Sequence, residues 1–240
     1  MKTIFTLQRL GGLSALVCGA TYLIGFAFLI THLAPMGYGT ADIDTRAVVA
    51  FSAASPSIFI AWNTAIYIIN ALALAVLVAA LAQRLSCAPP SCAAVTKGIG
   101  FIWAGLLLAA GMIANVAVEQ AGELYRTDPE AAATLWHILH SVELGLGGGN
   151  EIVGGVWIAC VSSAGWIRRC LGKRTACLGA LTGASGILTL IPMIGDAAGA
   201  VFGLGAIAWF IAIGVALVFR HEAPTPQASM AVHTAQGSKP

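Results

Sequence analysis

Apolar runs of about twenty residues recur along this chain, and they limit its fold more than any motif does. Lipid offers the backbone no hydrogen-bond partner, so a run of that length must satisfy its own N–H and C=O groups as a helix. The alternating strands of an outer-membrane barrel are only about ten residues long. Composition agrees: 58% of the 240 residues are hydrophobic and 9% are charged, against about 25% charged in an ordinary soluble domain. The expected fold is all-α, a polytopic bundle of six transmembrane helices. The six segments are Leu10 to His32, Ser57 to Ala82, Gly98 to Gly122, Leu135 to Gly165, Thr175 to Ile194 and Ala197 to Phe219. Pro35 with Gly37 and Gly39, Pro89 with Pro90, Asp128 with Pro129, and the stretch Pro192 to Asp196 mark the turns between them. Residues 1–220 thus form the transmembrane domain, and residues 221–240, rich in Pro, Ala and Ser, are expected to be a disordered cytoplasmic tail.

Positively charged loops are retained in the cytoplasm, so the Lys and Arg distribution gives an orientation. Ten of the twelve, Lys2, Arg9, Arg84, Lys97, Arg168, Arg169, Lys173, Arg174, Arg220 and Lys239, fall on one side, leaving Arg46 and Arg126 on the other. Both termini are therefore expected in the cytoplasm, with the protein in a bacterial inner membrane. The first apolar stretch is of membrane-spanning length and lacks a small-x-small cleavage site, so it reads as a retained helix rather than a signal peptide. All six cysteines, Cys18, Cys87, Cys92, Cys160, Cys170 and Cys177, fall on or toward the reducing side, which argues against a disulfide framework. A net charge of +2 with no basic run interleaved with aromatics excludes nucleic acid as a partner. Lipid is the expected partner. The glycine spacings Gly179/Gly183 and Gly195/Gly199/Gly203 add faces in segments five and six on which a second copy or a membrane partner would pack.

Segment four differs from the rest. An ionisable residue at the centre of a membrane helix costs about 2.5 to 3.5 kcal/mol, so each one needs a partner, water or neutralisation. At about 100° per residue, His137, His140, Glu143, Asn150 and Glu151 fall within an arc of about 140°. Glu151 lies roughly 22 Å along the helix from Trp166, deep in the membrane. The run GLGGGN between the two glutamates would kink or unwind the helix, as in transporter binding sites. Segment three adds Asn115, Glu119 and Glu123, and segment two adds Asn63, Tyr67 and Asn70, each a polar stripe at helical spacing. A polar, outward-opening pocket between segments two, three and four is expected, with Glu119 level with His137 and His140.

The first functional expectation is small-solute or proton-linked transport, or sensing, through that pocket. No cofactor is required by it. An alternative is a metal- or haem-binding membrane protein in which His32, His137, His140 and Glu143 supply ligands of the type that suits haem, zinc or iron, though without the HExxH pattern. Another is a non-catalytic accessory subunit. No nucleophile elbow, phosphate-binding glycine loop or dinucleotide fingerprint is present, so nothing positive points to an enzyme of the soluble type.

The stretch NEIVGGVWIACVSSAGWIRRCLGKRTACLGALTGASGILTLIP, with RLGGLSALVCGATYLIG near the start, resembles a family of bacterial six-helix membrane proteins catalogued as a domain of unknown function. The resemblance implies an inner-membrane location and carries no catalytic residues across. His137, His140 and Glu143 belong to no motif of that family.

Overall fold

Two prolines, a run of glycines and the limited thickness of a bilayer decide where the long apolar segments break. In a computed structural model of the chain, residues 6–40, 42–85, 90–148 and 151–219 are described. Every regular element among them is helical. Helix α1, Leu7–Phe28, runs on through a π turn, Leu29–Leu33, and a 3-10 turn, Ala34–Met36. A short α2, Thr45–Ala54, comes next. Helix α3, Pro56–Asn63, a π turn, Thr64–Ile69, and α4, Asn70–Arg84, form one continuous rod. Helix α5, Pro90–Tyr125, has 36 residues. Helix α6, Pro129–Glu143, ends in a third π turn, Leu144–Gly148, before α7, Glu151–Ile167. Helix α8, Lys173–Leu188, and α9, Gly195–Phe219, complete the chain, with a 3-10 turn, Pro192–Ile194, between them.

Among the described residues five stretches are long and apolar enough to cross a membrane: Leu7–Met36, Pro56–Arg84, Cys92–Tyr125, Pro129–Ile167 and Pro192–Phe219. Their outer faces carry large apolar side chains. Leu23, Leu72, Ile102, Met112 and Leu204 are each more than half exposed, as lipid-facing residues are. The expected span Thr175 to Ile194 is different. Its helix, α8, has 16 residues, or about 24 Å against a hydrocarbon core of about 30 Å. The tail from residue 220 onward lies outside the described residues, as do Lys2, Cys87 and Asn150.

At 1.5 Å per residue α5 is about 54 Å long, well beyond the bilayer core. Its surplus pairs with α6 and α2 to build a second layer, the cap. The layers have separate cores. Trp103, Trp157, Trp209, Phe202, Phe210 and Leu74 fill the bundle, and Val48, Val49, Phe59, Trp62, Val118 and Trp136 fill the cap. Ile66, within the π turn of the second rod, packs against both. Local signals start the cap helices. Asp44 accepts from the Ala47 N–H at 3.0 Å and Asp128 from the Ala131 N–H at 3.0 Å, with Pro129 in the first turn of α6. Arg46 and Glu130 join α2 to α6 at 2.7 Å, but both side chains are mostly solvated, so this pair adds little stability.

Most of the glycine spacings are used inside the chain. A Cβ on Gly155 of α7 would lie 2.8 Å from the Gly183 carbonyl oxygen of α8, and one on Gly183 would lie 2.6 Å from the Gly155 carbonyl oxygen. Gly179 packs against Ser162 and Trp209, and Gly203 against Phe26 of α1. Gly195 and Gly199 are the more open members of the expected outer face.

Candidate functional site

The last turn of α6 places His140 and Glu143 on one face, three residues apart, and both are buried. His140 Nδ1 lies 2.8 Å from Glu143 Oε2, a contact that holds one proton between the two atoms. The Tyr67 hydroxyl donates to the other carboxylate oxygen, Oε1, at 2.6 Å. Tyr67 reaches it from the π turn Thr64–Ile69, and it fits against α5 because Gly111 there has no side chain; a Cβ at Gly111 would collide with the Tyr67 Cβ. One turn further along α5, Asn115 donates its Nδ2 to Thr64 Oγ1 at 3.1 Å. Asn63, at the head of the same π turn, is 1% exposed, and neither its Nδ2 nor its Oδ1 has a partner among the described residues. A buried amide left in that state costs about 1–3 kcal/mol per unsatisfied group.

An aromatic roof covers this cluster on the cap side. Trp136 stacks on His140 with centroids 4.5 Å apart, and Tyr38 lies 5.2 Å from the same imidazole. Tyr38 belongs to the loop between α1 and α2. Burial of its hydroxyl, and secondly the Glu143 charge, hold that hydroxyl well above the usual tyrosine range, so it stays neutral. Sequence reasoning missed Tyr38, Trp62, Trp136 and the whole of α2. Asp44 ahead of an apolar decapeptide, and a tryptophan four residues before His140, were the available signals.

The expected site residues divide. Tyr67, His140 and Glu143 come together, flanked by Asn63 and Asn115. Asn70 turns to α1 instead, donating to Thr21 Oγ1 at 2.6 Å and to the Cys18 carbonyl at 3.5 Å. Glu119 and His137 are exposed, and no hydrogen bond or ion pair among the described residues joins Glu119 to His137 or His140. Only one half of the expected arc is covered by neighbouring helices, and His137 lies on the uncovered half. Glu151 lies at the start of α7, beyond the π turn Leu144–Gly148. Glu151 is half-buried, with Oε1 3.9 Å from the Cβ position of Gly199 on α9.

The proposed metal ligands separate as well. His32 is exposed, stacked on Phe28 at 4.7 Å with Nδ1 2.6 Å from Thr31 Oγ1. Among the described residues no three His, Cys, Asp or Glu side chains gather as a ligand set; of the four expected ligands, His140 and Glu143 touch each other. An open groove of about 440 Å³ lined by Leu7, Ala79, Gln83, Ala93 and Lys97 lies at the far end of the bundle, away from the carboxylate.

No family model matches the chain, and no curated protein or solved structure matches it. The chemistry of the site is therefore read from its own geometry.

Proposed function

We propose that this is a multi-pass protein of the bacterial inner membrane in which the Tyr67–Glu143–His140 chain carries protons, in small-solute or proton-linked transport or in sensing. One observation carries the reading. A carboxylate that is 2% exposed has each oxygen held by a group able to give or take a proton, and no Lys or Arg among the described residues is paired with it. A purely structural buried carboxylate is ordinarily neutralised by a fixed cation. The partner here is an imidazole, which can both donate and accept a proton through its two ring nitrogens. The π turns on both sides of the contact are a feature that clusters at functional sites in helices.

In proteoliposomes loaded with a pH-sensitive dye, the parent protein is expected to dissipate an imposed pH gradient. Glu143→Gln should reduce the rate to that of empty liposomes. A parent protein no faster than empty liposomes, with any solute gradient tried, would remove the basis of the proposal.

The orientation proposed has six crossings, both termini in the cytoplasm, and α8 as the short crossing. Support comes from the ten-to-two basic bias and from α8 packing between α7 and α9, where Gly183 meets Gly155 and Thr182 meets Gly205. Leu181 on α8 is also 63% exposed, like the outer residues of the longer helices. Cys92 and Cys177 are exposed near the basic ends of their helices. A membrane-impermeant maleimide should label them in inverted vesicles and not in intact spheroplasts, whereas equal labelling from both sides would contradict this orientation.

A further inference from the structure

Tyr38 occupies the middle of an aromatic box that it does not itself complete. Its ring centroid lies 6.4 Å from Phe59, 5.8 Å from Trp62, 6.1 Å from Trp136 and 5.2 Å from His140. Those four walls come from α3 and α6, whereas Tyr38 comes from a loop. The loop is bent at two glycines in the left-handed region, Gly37 at φ 68° and Gly39 at φ 82°. At Gly37 a Cβ would also meet the Asp42 carbonyl oxygen at 2.5 Å, so the bend that presents Tyr38 depends on glycine there. Nothing lies within 4 Å of the Cβ position of Gly39, so the far side of the bend is open.

One wall, His140, is hydrogen-bonded to Glu143, so a carboxylate lies directly behind the rings. Glu143 has no Lys or Arg partner among the described residues. Ring faces backed by a carboxylate attract a cation through the ring quadrupoles and the charge together, and they do so most strongly when dry. A neutral phenol gains packing there and none of that attraction.

We propose that Tyr38 is a displaceable occupant of a binding site for a small organic ammonium ion. Phe59, Trp62, Trp136 and His140 form its walls, and Glu143 is its counter-ion. The proposal rests on reading Glu143 as the centre of a solute-linked site, and it names the solute class. The space vacated by one phenol ring admits an ion of the size of tetramethylammonium.

The test uses the full chain in nanodiscs, titrated with tetramethylammonium and followed by tryptophan fluorescence and by radiolabelled binding. The parent protein should bind saturably. Tyr38→Ala should bind about tenfold or more tightly, because the competing occupant is gone. Adding Glu143→Gln to that variant should weaken binding by about tenfold or more, and uncharged neopentyl alcohol should not compete. Absence of saturable binding to a folded Tyr38→Ala protein, or equal competition by neopentyl alcohol, overturns the proposal. If Tyr38→Ala does not fold, the parent and Trp62→Leu decide: saturable binding weakened about fivefold in Trp62→Leu supports the site, and no binding, or binding unchanged by that substitution, overturns it. Proton flux that depends on Glu143 without ammonium binding would overturn the solute class and leave the proton reading standing. Loss of both would overturn both.

Discussion

Gly155→Leu is expected to yield no monodisperse protein. Helices α7 and α8 meet backbone to backbone at this point: a single added carbon at Gly155 would lie 2.8 Å from the Gly183 carbonyl oxygen and 2.9 Å from the Gly186 Cα. Neither atom is the end of a flexible side chain, so the clash is relieved only by moving one helix off the other. Inserting a methyl group into such a contact costs typically about 1–3 kcal/mol. Leucine adds three further carbons to a protein whose whole stability is of the order of 5–15 kcal/mol. Gly155→Ala should therefore fold with a clearly lowered unfolding midpoint, and Gly155→Leu should aggregate. Gly105 serves as the control, because nothing lies within 4 Å of its Cβ position; alanine there should be neutral, or stabilising by up to about 1 kcal/mol from helix propensity. Size-exclusion profiles and thermal unfolding in detergent check all three. A monodisperse Gly155→Leu with the parent's midpoint would mean that the two helices are not packed as described.

Glu143→Ala is expected to cost about 3–5 kcal/mol, the loss seen when one member of a buried pair is removed. It removes the carboxylate that the Tyr67 hydroxyl and His140 Nδ1 both contact and leaves a cavity in its place. Glu143→Gln behaves differently, because an amide oxygen still accepts from Tyr67 and the shape is kept, so its stability should fall by about 1 kcal/mol or less. The contrast separates architecture from chemistry. Alanine loses the fold's stability and any proton flux, while glutamine loses the flux alone. A cycle pairing Glu143→Ala with Tyr67→Phe should show a coupling of about 0.5–3 kcal/mol in unfolding free energy, as contacting groups do. Strict additivity would show that the 2.6 Å contact has no energetic weight.

The long apolar helices and the importance of segment four are legible in composition and charge, because a bilayer penalises every unpaired polar group in the same way wherever it occurs. Tyr67, His140 and Glu143 are legible for that reason. What is not legible is which of several similar residues the neighbours cover. His137 and His140 are the same side chain three positions apart, and only the packing of α6 against α5 and α2, with Tyr38 over the His140 ring, makes one a buried partner and the other a surface group. The same holds for Glu119 and Glu143. Helical-wheel reasoning also assumes an unbroken α-helix. Thr64–Ile69, with the sequence TAIYII, carries no Pro or Gly to announce its π turn, yet that turn is where Tyr67 is aimed. Apolar length alone extends the fifth segment to Ile194, but apolar character does not distinguish helix from turn, and Thr189 to Ile194 is turn and 3-10 backbone.

The stacking of cap on bundle has a mechanical consequence. Four rods pass from one layer to the other: α1, the α3–α4 rod, α5 and the α6–α7 rod. Three of them carry a π turn near the crossing, at Leu29–Leu33, Thr64–Ile69 and Leu144–Gly148, while α5 passes through as one unbroken helix from Pro90 to Tyr125. Wider rings yield to bending more readily than regular α-helix does. Helix α5 is thus the spine of the molecule and the other three rods are its flexible joints, so a tilt of the cap would pivot about α5. Tyr67 lies in one joint and Glu143 immediately before another, which places their hydrogen bond where such a tilt would be felt first.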